Sequence, residues 1–351
     1  TRCLSDWSSD VCSSDLGFGG DDPKVTAAAM KEMGFDVVVA GGDKVIEAVH
    51  DAGMRSWLCG GAFGIGDAED AHKAVDIAGN PQLWFGSGSP NDPDVRAKNL
   101  KSYEDMAKTP GVEGILVDGC RFASPASGLM AFLTDFSDHS AEKAAELGFD
   151  FDVMRNDVKA LHGILAGLGA GETRGAVWLA TPAGAVEWLL AHPGVFAWLR
   201  FRAACITEHF KNIGDILHAA GVKMGVYIFA PSFAPLVGQS YTDLAGFVDV
   251  FAPMLYRNYP ERPGIACLNW ELTIIPEELK LAGTKSERDA MNLYLSWMGL
   301  EHAVFSRDIA EIQKAVPPEV VGNQTALARA RIGDAKELVP IIHIDDPEIA
   351  K

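Results

Sequence analysis

The stretch that decides the fold is residues 114–125, which read Gly-Ile-Leu-Val-Asp-Gly-Cys-Arg-Phe-Ala-Ser-Pro. Its first four residues are typical of a strand buried on both faces, as in parallel sheets. The strand leads directly into an acid, a glycine, an arginine and an aromatic residue, namely Asp118, Gly119, Arg121 and Phe122. Parallel α/β folds keep their sites at the carboxyl ends of strands, so this position predicts a site. The same spacing also fits a structural acid that caps a helix or pairs with Arg121.

Short strands alternate with helices along much of the chain. Strands are predicted at residues 36–42, 55–61, 81–86, 114–118, 224–231, 248–256 and 338–346. Helices are predicted at residues 22–33, 43–52, 94–107, 151–165 and 198–218, and residues 176–190 fit either a short strand or a buried helix. This rhythm with short connections implies a parallel sheet. It predicts an α/β fold, namely a single (β/α)8 TIM barrel over residues 17–351. Because no helix follows the last predicted strand, the sequence also allows a barrel that is incomplete at its ends.

The composition narrows the class of protein. With 351 residues and 48% hydrophobic content, the chain can bury a large core. The net charge of -18 and the pI near 4.8 argue against a nucleic-acid partner, which needs a basic stripe. The most apolar run, from Val186 to Phe201, is interrupted by charged residues and proline and is too short to span a bilayer. We therefore expect a soluble protein without a membrane anchor.

The first sixteen residues differ from the rest of the chain. They repeat Ser-Ser-Asp, show no apolar periodicity and do not have the pattern of a signal peptide. The segment resembles a translated sequencing adapter of the kind found at the ends of metagenome-derived reading frames. We expect residues 1–16 to be a non-native or disordered tail that is dispensable for folding. If a native start is missing, a signal peptide is missing with it, so both the bacterial cytoplasm and secretion stay open as locations.

The motifs of several other enzyme classes are missing. The cysteines beyond the tail, Cys59, Cys120, Cys205 and Cys267, form no CxxC pair, so reduced thiols are expected. The glycine pairs at residues 41–42 and 60–61 fit tight turns better than phosphate loops, and no nucleophile elbow lies between a strand and a helix. The sequence therefore predicts no cofactor and no serine hydrolase.

Five segments carry a resemblance to a known group. They are Val117-Asp118-Gly119-x-Arg121-Phe122-Ala123-Ser124-Pro125, residues 136–157, Trp198-Leu199-Arg200-Phe201-Arg202, Phe229-Ala230-Pro231 and Val248-Asp249-x-x-x-Pro253-Met254-x-Tyr256. Over residues 17–350 the chain resembles the glycoside hydrolase-like TIM-barrel proteins with family-10-like barrels, and the Pro-Met-x-Tyr strand also recurs in chitinase-type barrels. The resemblance implies that Asp118 points into a sugar-sized pocket. Many relatives have cysteines near residues 136–139, where this chain has Ser137 and Asp138, so no metal or disulfide is expected there.

Glycoside hydrolysis usually requires two carboxyl groups, one protonated and one ionised. Asp118 is the first candidate. The second stays open between Asp345 or its neighbour Asp346 at the last strand's end and Glu271 in the loop after Tyr256, each of which also fits an ordinary strand-end or loop acid. Glu208 lies within a helix, and we expect it to face solvent or pair with Lys211.

The predicted substrate is an oligo- or polysaccharide, and the surrounding residues suit one. Arg121 can hold Asp118 ionised or bind a substrate group, and aromatic faces stack on sugar rings. The predicted substrate-binding residues are Arg121, Phe122, Tyr256, Tyr259, Trp270 and His343. Two alternatives remain: a metal-dependent hydrolase that uses Asp118, His343 and Asp345, and a noncatalytic carbohydrate-binding barrel. The sugar, the linkage and the oligomeric state are left open.

Overall fold

The computed structural model describes residues 3–5, 22–66, 70–259 and 265–342. Its strands are β1 Cys3–Ser5, β2 Val37–Val39, β3 Arg55–Gly61, β4 Ala74–Val75, β5 Pro81–Gln82, β6 Val112–Asp118, β7 Lys223–Phe229, β8 Val250–Met254 and β9 Glu337–Leu338. Its helices are α1 Pro23–Glu32, α2 Asp43–Asp51, α3 Pro93–Met106, α4 Leu129–Phe132, α5 Asp138–Leu147, α6 Phe151–Gly169, α7 Arg174–Leu179, α8 Pro182–Ala191, α9 Pro193–Ala219, α10 Tyr241–Leu244, α11 Leu268–Glu278, α12 Glu287–Trp297, α13 Ile309–Lys314 and α14 Glu319–Ile332.

The main sheet has seven strands in the order β1-β2-β3-β6-β7-β8-β9, and every neighbouring pair is parallel. This is chain order, without the reversal that defines a doubly wound sheet. When parallel strands follow chain order, right-handed crossovers are expected to place the helices on one face of the sheet, as in a barrel wall. The fold is therefore mixed α/β with a parallel half-barrel sheet. Within the described ranges β1 and β9 are the two edges of the sheet, and neither a direct pairing nor a further strand connects them. A closed eight-stranded barrel therefore stays a prediction.

Local signals account for the elements that the sequence predicted correctly. Asp22 caps α1 by accepting a hydrogen bond from the Lys24 amide, and Pro23 occupies the first turn. Asp92 caps α3 in the same way, again followed by a proline. The apolar run before Asp118 forms β6, as expected. Residues 176–190, which were ambiguous, are helical and form α7 and most of α8.

Two strand predictions differ from the structure. Of residues 81–86 only Pro81–Gln82 form a strand, and they pair antiparallel with β4 outside the main sheet. The chain turns at Phe85, whose φ of 53° breaks the extended run. The last strand, predicted over residues 338–346, is described only as β9 and as a bridge between Ile341 and Met254. Residues 343–346 lie outside the described ranges.

A glycine explains how the sheet packs around its centre. Trp57 of β3 lies across Gly114 of β6, where an added Cβ would approach the indole ring to 2.5 Å. Glycine inside a strand is costly unless another group uses the space, and here the indole does. Trp57 is 4% exposed and belongs to the main core with Ile115 and Val117.

The chain between β6 and β7 is a long excursion that carries α4 to α9. Arg202 of α9 anchors it, because the buried guanidinium donates hydrogen bonds to the carbonyls of Phe132, Thr134 and Leu236. The Trp198 indole N–H also donates to Thr134, and the Arg202 guanidinium lies 4.0 Å from the Trp198 ring. The Trp-Leu-Arg-Phe-Arg segment noted in the sequence is thus a structural anchor for this excursion.

The N-terminal residues are described only at Cys3–Ser5, which pair in parallel with Val37–Val39 at the sheet edge. The rest of residues 1–16 lie outside the described ranges, and their dispensability stays a prediction. Among the helices of the described ranges, none combines the length and the apolar composition that a bilayer span requires.

Candidate functional site at the carboxyl edge of the sheet

Asp118 is the last residue of β6, paired with Gly61 at the end of β3, and its side chain is partly buried. The chain turns away at Gly119, whose φ of 67° favours glycine. Burial raises the pKa of Asp118 to about 6, although the Arg121 charge and a hydrogen bond from the Gly119 amide both act to lower it. A carboxyl group with this pKa is partly protonated near neutral pH, as a proton donor in catalysis requires.

Arg121 is the cation of the site and is 4% exposed. Its Nη1 donates to the Phe122 carbonyl at 3.0 Å, and its guanidinium lies 5.1 Å from the centre of the Phe229 ring at the end of β7. Burial lowers the pKa of Arg121, while the charges of Glu271 and Asp118 oppose that shift. The arginine therefore interacts electrostatically with both acids.

Glu271, in the first turn of α11, is 1% exposed and fully engaged with the protein. Its Oε1 accepts hydrogen bonds from the Ser124 hydroxyl and the Ala266 amide, both at 2.8 Å, and its Oε2 accepts one from the Ala126 amide at 3.0 Å. Burial raises the pKa of Glu271, and these hydrogen bonds and the Arg121 charge act against that rise. Because Ser124 and Ala126 belong to the segment after β6, Glu271 ties that segment to α11.

Three of the predicted aromatic residues lie together. Trp270, 9% exposed, packs in a small cluster that includes the partly buried Tyr256 and Tyr259. Its indole N–H donates to the Tyr259 carbonyl at 2.8 Å, and the Leu268 amide donates to the Tyr256 carbonyl at 2.8 Å. Ala126 belongs to the same cluster, so this aromatic wall adjoins the segment that Glu271 holds.

The remaining predicted residues are in other surroundings. Phe122 has no exposed surface, and the Arg202 guanidinium lies 4.9 Å from its ring centre. In this conformation the ring has no face to offer a sugar, because it packs in the core. His343, Asp345 and Asp346 lie outside the described residues. Glu208, expected to face solvent or pair with Lys211, is partly exposed and forms ion pairs with Arg96 and Lys143, while Lys211 pairs with Asp215.

Two acids that sequence reasoning did not select are central to the loops at this edge. Asp135, 2% exposed, accepts hydrogen bonds from the Val75 amide and the Ser89 and Ser140 hydroxyls. The Val75 and Ser89 donors lie 60 and 46 residues away in the sequence, so no local pattern indicates these two partners.

Asp92 is the second such acid, and the sequence shows only its helix-capping role. One oxygen caps α3, and the other lies 2.7 Å from His72 Nδ1 and 3.6 Å from His139 Nε2. Burial acts to raise the pKa of Asp92, but the His72 and backbone hydrogen bonds outweigh it and the pKa is lowered. In the described part of the chain, no group of three or more His, Cys, Asp or Glu residues could hold a metal ion.

The fold and this edge together define a parallel α/β protein with a barrel-type sheet and an acidic site beside a buried arginine. No family model matches the chain, and no curated protein matches it. Among solved structures it is similar to the PgaB (BpsB) glycoside hydrolase domain from Bordetella bronchiseptica, with 14% identity, 93% of this chain and 90% of that chain covered, and a TM-score of 0.46.

Two further solved structures are similar at lower coverage of their own chains. The GH42 β-galactosidase Gan42B has 15% identity and a TM-score of 0.43, with 68% of this chain and 38% of that chain covered. The α-L-fucosidase isoenzyme 2 from Paenibacillus thiaminolyticus has 11% identity and a TM-score of 0.39, with 86% and 49% covered. This chain thus spans less than half the length of these two proteins, and no activity is transferred from such distant likenesses.

Proposed function

We propose that this protein is a glycoside hydrolase that acts on an oligo- or polysaccharide at the carboxyl edge of a (β/α)8 barrel, with Asp118 as its proton donor. The observation that carries the proposal is the setting of Asp118: a partly buried carboxyl group at the end of a central strand, with its pKa raised to about 6. A family-10-like relationship is part of the proposal and rests on the sequence motifs alone.

The chemistry of glycoside hydrolysis fits this carboxyl group. A protonated Asp118 donates its proton to the glycosidic oxygen as the bond to the sugar breaks, which leaves a carboxylate. The charge of Arg121 favours that carboxylate, as the direction of its effect on the pKa of Asp118 indicates. Arg121 therefore supports the proton transfer by stabilising the product state of the acid.

The second carboxyl group in this proposal is Asp345 rather than Glu271. Both oxygens of Glu271 already accept hydrogen bonds from the protein. A nucleophile or general base needs an oxygen that can reach the sugar or a water molecule. We therefore assign Glu271 a positioning role, since it holds the segment that follows Asp118 and carries Arg121.

The aromatic wall of Tyr256, Tyr259 and Trp270 is the proposed sugar-binding surface. Aromatic rings present apolar faces that pack against the C–H groups of a sugar. The wall adjoins Ala126 on the segment after β6, which connects it to the proposed acid through eight residues of chain. Loops at the carboxyl ends of barrel strands commonly supply substrate contacts in this way.

A glycan and aryl-glycoside library tests the proposal. The wild-type protein is expected to hydrolyse at least one member, and Asp118→Asn to lose roughly 100-fold or more of that turnover. Asp215→Asn, an exposed acid paired with Lys211, is the matched control and should keep full activity. Equal turnover by wild type and Asp118→Asn would overturn the assignment of Asp118.

The same screen separates the two alternatives. Turnover that disappears on chelation and returns with a divalent metal would indicate a metal-dependent hydrolase built from Asp118, His343 and Asp345. Oligosaccharide binding without any turnover would indicate a noncatalytic carbohydrate-binding barrel.

A further inference from the structure

The helices α7, α8 and the start of α9 expose an unusual amount of apolar surface. Five large apolar side chains between residues 177 and 196 are exposed: Val177 at 47%, Trp178 at 48%, Val186 at 59%, Leu190 at 77% and Phe196 at 52%. They are five of the thirteen exposed large apolar residues found across the described ranges, although they occupy only twenty positions. We call this set the α8 surface.

Helix α8 lies at the centre of this surface. It has the composition of a buried helix, but most of it is not buried. Its ten residues include one charged side chain, Glu187, and only Gly184 is buried. Val186 and Leu190 are one turn apart and therefore share a face. Such an apolar helix is normally covered, because exposed apolar area is costly in water.

The three helices of the α8 surface follow one another closely in the chain. Trp178 at the end of α7 packs against Gly184 so closely that a Cβ at this position would collide with the Trp178 carbonyl. Helix α9 begins at Pro193, two residues after α8 ends, and Phe196 lies in its first turn. The five side chains together expose on the order of 500 Å² of apolar area, at the upper end for a monomeric protein.

The charges around this surface favour a second copy of the same chain. The whole protein has a net charge of -18, so two copies repel each other over most of their surfaces. Residues 174–200 are different, because their charged residues are two bases and one acid, Arg174, Arg200 and Glu187. All three side chains are exposed. A two-fold axis through α8 brings together two segments with few charges, where the repulsion between two strongly acidic chains is weakest.

We propose that the α8 surface is the contact of a two-fold symmetric homodimer, in which α8 packs against α8 of a second copy. A stable interface buries about 800 Å² per partner, and the exposed apolar area with its polar rim is of that order. The central contacts are Leu190 and Val186, with Trp178 and Phe196 at either side. The contact lies on the helical excursion, so it does not depend on the proposed glycosidase activity.

The molar mass of the full chain in solution tests this proposal. Size-exclusion chromatography with light scattering, over concentrations up to about 100 µM, should give twice the chain mass for the wild type. Leu190→Glu places a carboxylate on each side of the axis, and it should raise the dissociation constant by roughly 30-fold or more. Val186→Glu tests the same face one turn away and should act in the same direction.

Phe305→Glu is the matched control, because Phe305 is 79% exposed and lies outside the α8 surface. It should leave the dimer intact, and circular dichroism should show all four proteins equally folded. A wild-type chain that is monomeric throughout the concentration range would overturn the proposal, as would a dimer unaffected by Leu190→Glu. Monomeric protein that floats with phosphatidylcholine vesicles would assign the surface to a lipid instead.

Discussion

The end of β6 and the start of α11 each place a buried or partly buried carboxyl group in the field of Arg121, but the two groups have different partners. Glu271 accepts three hydrogen bonds from protein donors through its two oxygens. From the described residues, Asp118 accepts one, from the amide of the next residue. Burial raises the pKa of both groups, so that shift alone does not separate them.

The difference teaches how a structural acid and a catalytic acid are told apart. Hydrogen bonds from fixed donors hold a carboxylate in place and occupy the oxygens that a substrate would need. An acid at a strand end with few partners keeps its oxygens available and is poorly stabilised when ionised. The comparison supports the proposed division, in which Glu271 contributes to stability and Asp118 to chemistry, and four experiments test it.

The largest effect is expected for Glu271→Ala. The change leaves the Ser124 hydroxyl and the Ala126 and Ala266 amides without their acceptor in a buried place, and it opens a cavity. The free energy of unfolding should fall by about 3–5 kcal/mol. Urea denaturation monitored by tryptophan fluorescence measures it, with Asp215→Ala as an exposed-acid control that should change it by less than about 0.5 kcal/mol. A variant as stable as the wild type would remove the positioning role.

Asp118→Asn should have its main effect on rate. Turnover should fall by roughly 100-fold or more, which corresponds to about 3 kcal/mol of transition-state stabilisation. At pH 7 the free energy of unfolding should change by less than about 1 kcal/mol, because Asp118 has few native partners to lose. Kinetics and urea denaturation on the same preparation give both numbers. A loss of stability of several kcal/mol with turnover preserved would reverse the roles of the two acids.

The pH dependence of stability gives a smaller effect with a definite sign. The pKa of Asp118 is raised from 3.8 to about 6 in the folded protein, so the folded state holds a proton that the unfolded state releases. This contribution to stability is complete below about pH 4 and is lost as the pH rises through about 6. The loss should be on the order of 1–3 kcal/mol, after allowance for partial solvent screening.

The difference between wild type and Asp118→Asn isolates this contribution, because Glu271 titrates in both proteins. Urea denaturation at pH 4, 5, 6 and 7 should show the wild type losing stability relative to the variant as the pH rises. Parallel curves across that range would mean that Asp118 titrates alike in both states, and its assignment as a poised acid would lose its physical basis.

Much of the framework was predictable because its signals are local. The Asp92-Pro93 pair marks the start of α3, and the apolar run before Asp118 marks β6. The apolar residues of 81–86 wrongly predicted a strand of that length, because Phe85 adopts a left-handed conformation and turns the chain. The sequence does not indicate such a turn, since phenylalanine seldom adopts this conformation.

The site was only partly predictable because its partners are distant in sequence. The place of Asp118 at a strand end was predicted correctly, because it needs no distant information, while its role stays a proposal. The role of Glu271 depends on Ser124, 147 residues earlier, and the burial of Phe122 depends on Arg202 from α9. Contacts of this length follow from the packing of the excursion between β6 and β7, which no spacing rule encodes.

Ser124→Ala should give the smallest effect and therefore the finest test of the comparison. It removes one of the three donors to Glu271 but leaves both backbone amides in place, and it also removes the hydroxyl at the start of the turn at Pro125–Ser127. The free energy of unfolding should fall by about 0.5–1.5 kcal/mol, the usual net value of one hydrogen bond. If Glu271 only positions the segment after β6, turnover should stay within about three-fold of the wild type, because Asp118 and Arg121 keep their places. Ser127→Ala, which removes a hydroxyl from the same turn without touching Glu271, is the matched control. Turnover that falls as far in Ser124→Ala as in Asp118→Asn, with stability unchanged, would show that Glu271 takes part in the reaction and that the division between the two acids is wrong.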